Sequence, residues 1–547
     1  MGDSTVNIIL CAGPPNQSSL PLGGNESNAM IPVNGKPVIG WILDGLLQKK
    51  IRHATVVLRS HNHRLQAFLQ RAYTGRMSLN LAATHGEGSI IHSLRCGLEA
   101  DPTAGLVRVI LGDTLIDDPF DGDEDFVYTA EVHDARRWCL VVTNSSGKLV
   151  DYLDKQDHGG GPHQALAGYY HFTDGECLSS CAEASVTAGE QELSAVLRRY
   201  AASRPISARP VKDWYDFGHI DNLIDARRRL LSPRHFNSLT VNPVLNTITK
   251  ISKHNEKLQD ELDWYLAIPD ELRVLTPRIL SSRRVNGSLE IVQEYYGYPT
   301  LAELYVYGEL HLDTWLSTLR YVLRIHQELR GYPAELEPAQ VEVMYFDKTM
   351  QRLCELRLQS PEWAELLDRD TIVFNDRALL NVAMLDGILA EKIQKLTAAV
   401  PASIIHGDFC FSNILFDINN QIIRLIDPRG SFGRKGIYGD ARYDVAKLRH
   451  SVCGFYDFIV ADAFYLRETP QGFCGQVHVN EVQQLVAPAF DRMVSAAGYE
   501  LEEIRLIEGL LFIAMLPLHD GHTQRQRMMY MTGLSLLNEV CKSANCD

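Results

Sequence analysis

The chain of 547 residues predicts an α/β amino-terminal domain followed by an α+β, two-lobed carboxy-terminal domain. Three observations predict this. The length exceeds what one hydrophobic core serves, so two or three domains are expected. Short apolar runs alternate with amphipathic segments through the first 230 or so residues. Beyond residue 299 the periodicity becomes helical, interrupted by one polar stretch, His406-Gly-Asp-Phe-Cys-Phe-Ser-Asn-Ile-Leu-Phe-Asp417, and then Leu425-Ile-Asp427-Pro-Arg-Gly430.

In the first domain, residues 1–231, strands are read at Asn7 to Cys11, Ala54 to Leu58, Leu79 to Ala82, Val107 to Leu111 and Phe126 to Glu131. Amphipathic segments such as Ile39 to Gln48 separate them, a pattern of parallel βα units in a layered sheet. Ser232-Pro-Arg-His-Phe236 breaks the pattern and marks a boundary. The second domain, residues 236–547, opens with a small lobe over 236–298. Its strands are Leu239 to Val241, Thr247 to Ser252 and Leu289 to Gln293, with a helix from about Lys257. Residues 299–547 form the helical lobe. No repeat or low-complexity linker is present.

Hydrophobic content of 45% and charged content of 22% suit a soluble globular protein. The net charge of −15 leaves no basic surplus to neutralise phosphates, so no nucleic-acid partner is expected. The 11 cysteines lack zinc-site spacing. No signal peptide is read, the longest apolar stretch (Leu510 to Leu518) is too short for membrane insertion, and a cytoplasmic location is expected. Nothing fixes oligomeric state, and a homo-oligomer stays open.

The polar stretch carries chemistry. An Asp two residues after a His, an Asn five residues further on and an Asp ending an apolar strand make a phosphoryl-transfer site. Asp408 orients or deprotonates an attacking hydroxyl, and Asn413 and Asp427 hold the Mg2+ that bridges ATP phosphates. In the small lobe, Lys250 lies on a strand facing those phosphates, with Lys253 as its rival, and Glu261 on the next helix is its ion-pair partner. His406 is read as a structural hydrogen-bonding residue and Cys410 as packing. Arg429 is placed against a phosphate or the acceptor.

These residues resemble the aminoglycoside phosphotransferase and choline kinase superfamily, whose pattern runs H-G-D-x-x-x-x-N, then I-D. The resemblance implies a protein-kinase-like fold and ATP as donor. It also implies an adenine-contacting hinge at Glu294-Tyr-Tyr296-Gly, and a supporting role for Asp444 in Gly439-Asp-Ala-Arg-Tyr-Asp444.

The first domain resembles the sugar-phosphate nucleotidyltransferases, with their Rossmann-like sheet. The matching segments are Asn7-Ile-Ile-Leu-Cys-Ala-Gly13, Ala29-Met-Ile-Pro-Val-Asn-Gly-Lys36-Pro, His85-Gly86-Glu-Gly88-Ser, Leu111-Gly-Asp113, Asp154-Lys155 and Trp214-Tyr-Asp216-Phe-Gly-His219. The resemblance implies that Gly13, Lys36, Gly86 and Gly88 contact a second nucleoside triphosphate (CTP, UTP or GTP), and that Lys155 meets a sugar phosphate. It gives Asp113 and Asp216 a shared Mg2+, which neutralises two anions that otherwise repel. Departures stand beside it. Pro14-Pro15-Asn-Gln-Ser-Ser19 replaces the family's G-x-G-T-R, Asn28 a Lys, Asp154 a Glu and His219 a Thr. The prolines remove two backbone donors and the substitutions two cations, so a domain that binds without turning over is the alternative.

Together the halves resemble fused capsular-polysaccharide biosynthesis proteins of bacteria. That implies a bifunctional enzyme: one half phosphorylates a sugar or polyol, the other couples the ester to a nucleotide. An amino-alcohol such as choline is the rival acceptor; its quaternary ammonium needs an aromatic cage. Phe455-Tyr-Asp-Phe458 and Phe464-Tyr465 are the candidates, though helical spacing favours packing for them.

Overall fold

Five consecutive buried residues, Val6–Leu10, form the middle strand of the first sheet, as expected for a strand covered on both faces. It pairs in parallel with His53–Arg59 and Val107–Leu111, and His53–Arg59 pairs in parallel with Ser78–Thr84. The helices Val38–Gln48, His63–Ala72 and Ile90–Ala100 lie on the crossovers. A computed structural model describes residues 5–13, 27–84, 88–155, 161–230, 237–252, 255–308 and 310–543. The chain divides into two units, Met1–Leu230 and Leu231–Asp547.

Beyond Val107–Leu111 the sheet departs from the parallel pattern that the sequence suggests. His163–Phe172 runs antiparallel to Val107–Leu111 and to Phe126–Val132, and Leu149–Asp154 antiparallel to Cys139–Thr143. Here strand follows strand through short connections, which only antiparallel pairing permits. A separate ribbon, Thr114–Ile116 with Trp214–Asp216, places Asp216 opposite Thr114.

In the second unit a four-stranded antiparallel sheet runs in the order Asn237–Asn242, Thr247–Ser252, Ser288–Glu294, Ile279–Val285. The helix Asn255–Ala267 follows its second strand. The edge strand Ile279–Val285 is exposed along most of its length, so its polar sequence gave no apolar pattern to read. The boundary segment 232–236 lies outside the described residues. The lobe beyond 299 is helical but not wholly so. Arg377–Leu380, Thr371–Phe374, Gly472–Val477 and Phe464–Thr469 make a further four-stranded sheet, in that order. Phe464-Tyr465 therefore lies on a strand, against the helical spacing read for it.

The polar stretch is built around a hairpin. Ile414–Asp417 pairs antiparallel with Ile422–Leu425, register Ile414 to Leu425. The Asp417 carboxylate accepts the Asn419 and Asn420 amides at 3.0 and 3.2 Å to close its turn. That register returns the chain beside Asn413, whose carbonyl accepts the Ile426 amide at 3.0 Å. Among the described residues, no helix is long and apolar enough to cross a membrane.

Candidate active sites

Lys250 sits on a central strand of the small lobe and is buried. Its Nζ lies 2.7 Å from Glu261 Oε1 and 2.5 Å from Asp427 Oδ1. Burial alone would push the ammonium's pKa down; the Asp427 and Glu261 carboxylates outweigh it and hold the pKa above the usual lysine range. The structure therefore joins Lys250, Glu261 and Asp427 in one cluster. Lys253 lies outside the described residues. Asp427 has φ +57°, a left-handed conformation rare for a non-glycine residue. Its amide donates to the Tyr265 hydroxyl at 3.1 Å.

Asp408 lines a cavity of about 760 Å3 together with Glu261 and Asp427, and 39% of its side chain is open. Asn413 Nδ2 donates to its carboxylate and to its backbone carbonyl, each at 2.9 Å. Lys447 Nζ is 2.9 Å from Asp408 Oδ1. Burial would raise the carboxyl; the Lys447 cation overrides that and holds it well below the usual carboxylate range. Lys447 went unread in the sequence. The signal was present, because it lies three residues after Asp444 on the helix Ala441–Val452, hence on a shared face. Asp444 accepts the His406 and Gly407 amides at 2.7 and 2.8 Å. It braces the loop that carries Asp408.

His406 is buried, and its Nδ1 accepts the Asp408 amide at 3.3 Å. Burial pushes its imidazole down to about 4, so the ring is neutral near pH 7. Cys410 lies buried between the buried Phe409 and Phe411. Glu294 and Tyr296 bond each other at 2.8 Å and do not line the cavity. Of the aromatic candidates for a cage, Tyr456 alone lines the cavity, stacked on His450 at 4.1 Å. Phe458 packs against Tyr305 at 5.6 Å, and Tyr465 contacts His478 at 5.6 Å on its strand.

A divalent cation fits this donor set. Asn413 Oδ1 is buried with no hydrogen-bond partner, a cost that a ligated cation removes. Asp427 supplies the hard anionic oxygen such an ion prefers.

In the first unit, Asp113 follows the strand Val107–Leu111 and Asp216 ends the ribbon strand. Both carboxylates converge on Gly218: a Cβ built there meets Asp113 Oδ2 at 3.3 Å and Asp216 Oδ1 at 3.4 Å. Burial first, then the Asp216 charge, raises the Asp113 carboxyl. Asp216 also accepts from Asn222 Nδ2 at 2.8 Å and contacts His219 Nδ1 at 2.8 Å. Two facing carboxylates suit a bound cation. Gly112 is sterically required, since a Cβ there would lie 2.5 Å from Cys11 Sγ and 2.8 Å from the Leu10 carbonyl. Among the described residues, no group of three or more His, Cys, Asp or Glu side chains is arranged to hold a metal. The donor sets are thus carboxylate pairs or a carboxylate with an amide.

Around the Asp113 pair the remaining expectations divide. Ser27 Oγ donates to the Cys11 carbonyl at 2.6 Å, and Asn28 Nδ2 reaches Asp113 Oδ2 at 3.4 Å. Among the described residues, nothing lies within 4 Å of a Cβ built at Gly13. Lys155, at φ +46°, is tied by its amide to the Trp138 carbonyl at 3.1 Å. Trp138 in turn packs on His219 at 4.9 Å, while the Lys155 ammonium sits 3.3 Å from Glu192. Lys36 is not brought to the pair: its Nζ lies 2.5 Å from Asp44. Gly88 precedes Ser89, the cap of Ile90–Ala100. Gly86 and residues 14–20 lie outside the described residues.

Residues 244–465 match the phosphotransferase enzyme family. The second unit thus carries a phosphotransferase-family domain, and the protein is an enzyme. The N-terminal region is similar in structure to several solved proteins. One is a protein from Bacillus anthracis assigned as a glucose-1-phosphate thymidylyltransferase, in complex with sucrose, at 20% identity, 42% of this chain, 97% of that chain and TM-score 0.37. Another is a CTP:phosphocholine cytidylyltransferase from Streptococcus pneumoniae, at 17% identity, 42% and 99% coverage and TM-score 0.35. A third is a UDP-glucose pyrophosphorylase complexed with UDP-glucose, at 15% identity, 41% and 97% coverage and TM-score 0.35. A comparison with curated proteins finds no match.

Proposed function

We propose that the enzyme is bifunctional. In the second unit an acceptor hydroxyl attacks the γ-phosphorus of ATP, its proton passes to Asp408, and the bond to the β-phosphate oxygen breaks to leave ADP. Lys250, fixed by Glu261, meets the ATP phosphates, and Asn413 and Asp427 would hold Mg2+. Magnesium there, when bound, neutralises phosphate charge. In the first unit an oxygen of the new phosphate ester attacks the α-phosphorus of CTP, UTP or GTP, and pyrophosphate leaves. Asp113 and Asp216 would hold the cation of that step, and Lys155 meets the ester. The acceptor is a small sugar or polyol, and the nucleotide-linked product is a precursor for a surface polysaccharide.

The observation that carries this reading is the joint placement of Asp408, Asn413, Asp427 and Glu261 on one cavity, with Lys250 paired to both Glu261 and Asp427. Convergence of Asp113 and Asp216 supports the second activity. ATP consumption against a panel of sugars and polyols tests the first step. Pyrophosphate release from each triphosphate with the resulting ester tests the second.

One observation favours a narrower reading of the first unit. Asn28, a neutral amide, reaches Asp113, and Lys36 is held by Asp44. Few cations then remain for departing pyrophosphate, as in a unit that only binds nucleotide or sugar. Absence of pyrophosphate release across every ester and triphosphate pair would select that reading.

A further inference from the structure

The cavity beside Asp408 holds cations that the phosphoryl-transfer chemistry leaves unassigned. The helix Lys348–Gln359 follows a π-helical turn, Val343–Asp347, a distortion frequent at functional sites. Lys348 and Arg352, one turn apart on this helix, both line the cavity, as does Arg429. Like charges at this spacing repel. Arg352 donates to the Ala514 carbonyl, and Arg429 to the Tyr443 hydroxyl at 2.9 Å. The carboxylates that line the cavity are engaged elsewhere. Asp408 pairs with Lys447, Glu261 and Asp427 with Lys250, and Asp260 with Lys435 at 3.0 Å. Asp457, also on the wall, bonds Ser451, and burial raises it to about 6. Glu355, whose field reaches Arg352, is exposed and accepts from Gln351.

We propose that the acceptor phosphorylated at Asp408 carries an anionic group, a carboxylate or a phosphate, seated by Lys348, Arg352 and Arg429. This rests on the kinase reading above and deepens it. Burial first, then Arg429, Arg352 and Lys447, pushes the Lys348 ammonium down to about 6. Such crowding is what an incoming anion relieves. The Asp408 carboxylate opposes this shift, and Arg429 lies against the Asp408 loop, its amide donating to the His406 carbonyl at 2.9 Å. The trio therefore lines the cavity beside Asp408, where the attacking hydroxyl would sit. An amino-alcohol would instead bring a further positive charge beside Arg352 and Arg429.

Matched acceptors test this with the full-length chain: glycerol, glycerate and glycerol phosphate, then glucose, gluconate and glucose 6-phosphate, with choline as the cationic control. ATP turnover is measured for each, and binding by titration calorimetry. The expected result is kcat/KM at least tenfold higher for a carboxylate or phosphate member than for its neutral analogue, and the better arm identifies which anion is read. In Lys348→Met and Arg352→Met the ratio of anionic to neutral kcat/KM falls at least tenfold while KM for ATP holds. Preference for neutral or cationic acceptors, or variants that raise KM for ATP instead, overturns the proposal and leaves the kinase reading standing. Anion binding that depends on Lys348, without any phosphorylation, supports the seat but overturns the kinase reading. Neither binding nor turnover overturns both.

Discussion

Lys447 sets the charge of Asp408. The carboxyl is held well below its ordinary range against the cost of burial, so Asp408 is ionised throughout the pH range in which ATP chemistry is measured. The ion pair stabilises the fold above the unfolded carboxyl value of about 4. That contribution is lost as pH falls through the lower folded value. Replacement Lys447→Met removes the cation and leaves burial acting alone. The acid limb of the kcat–pH profile then moves upward by about 1–3 units, and an unmoved limb would show that Lys447 does not govern Asp408. Asp408→Asn abolishes the proton acceptor and lowers ATP-dependent phosphorylation by about 100- to 10,000-fold. Pyrophosphate release from a supplied phosphate ester is expected to persist. The joint placement of Asp408, Asn413 and Asp427 on one cavity was legible because a single hairpin returns the chain beside Asn413. Lys447 and Lys348 were not, because a lysine on a helix reads as solvent-facing until its neighbours are known.

At the scale of elements, two loops hold the second site. Gly430 has φ +65°, and a Cβ there would lie 2.0 Å from the Asp260 carbonyl on the helix that presents Glu261. Gly430→Ala is expected to cost about 1–3 kcal/mol from backbone strain alone, read as a lower denaturation midpoint, with weaker ATP binding as Glu261 shifts. Asp444 braces the Asp408 loop from the next helix. Burial raises its carboxyl to about 7, opposed by the His406 and Gly407 amides. A carboxyl raised on folding binds more protons in the native state, so stability falls as pH climbs from about 4 toward about 7. Asp444→Asn cannot titrate and should flatten that part of the profile, checked by urea midpoints at both ends of the window. Elements with continuous apolar runs, such as Val6–Leu10 and Val107–Leu111, were readable from sequence because burial on both faces leaves no polar alternation. Phe126–Val132 was legible as a strand, but its antiparallel pairing and the sheet that includes Phe464–Thr469 were not. Short strands joined by short turns carry a weak periodic signal, and their pairing is decided by partners distant in the chain.

For the whole molecule, the account places one acid-lined site in each of two units, with the ester made at one serving as substrate of the other. No residue is shared between them, so the activities should separate cleanly by mutation. The net charge of −15 makes an acidic protein overall. Against that background Lys348, Arg352 and Arg429 concentrate cationic groups on one cavity wall, and such a patch favours anionic small molecules. The most direct test is a phosphorus NMR time course of the full-length enzyme with ATP, a phosphorylatable acceptor, magnesium and each of CTP, UTP and GTP. The account predicts a phosphate monoester that rises and is then consumed as pyrophosphate appears. Asp113→Asn should let the monoester accumulate, and Asp408→Asn should prevent its formation while still converting added monoester. Loss of both steps in either single variant would contradict two independent sites.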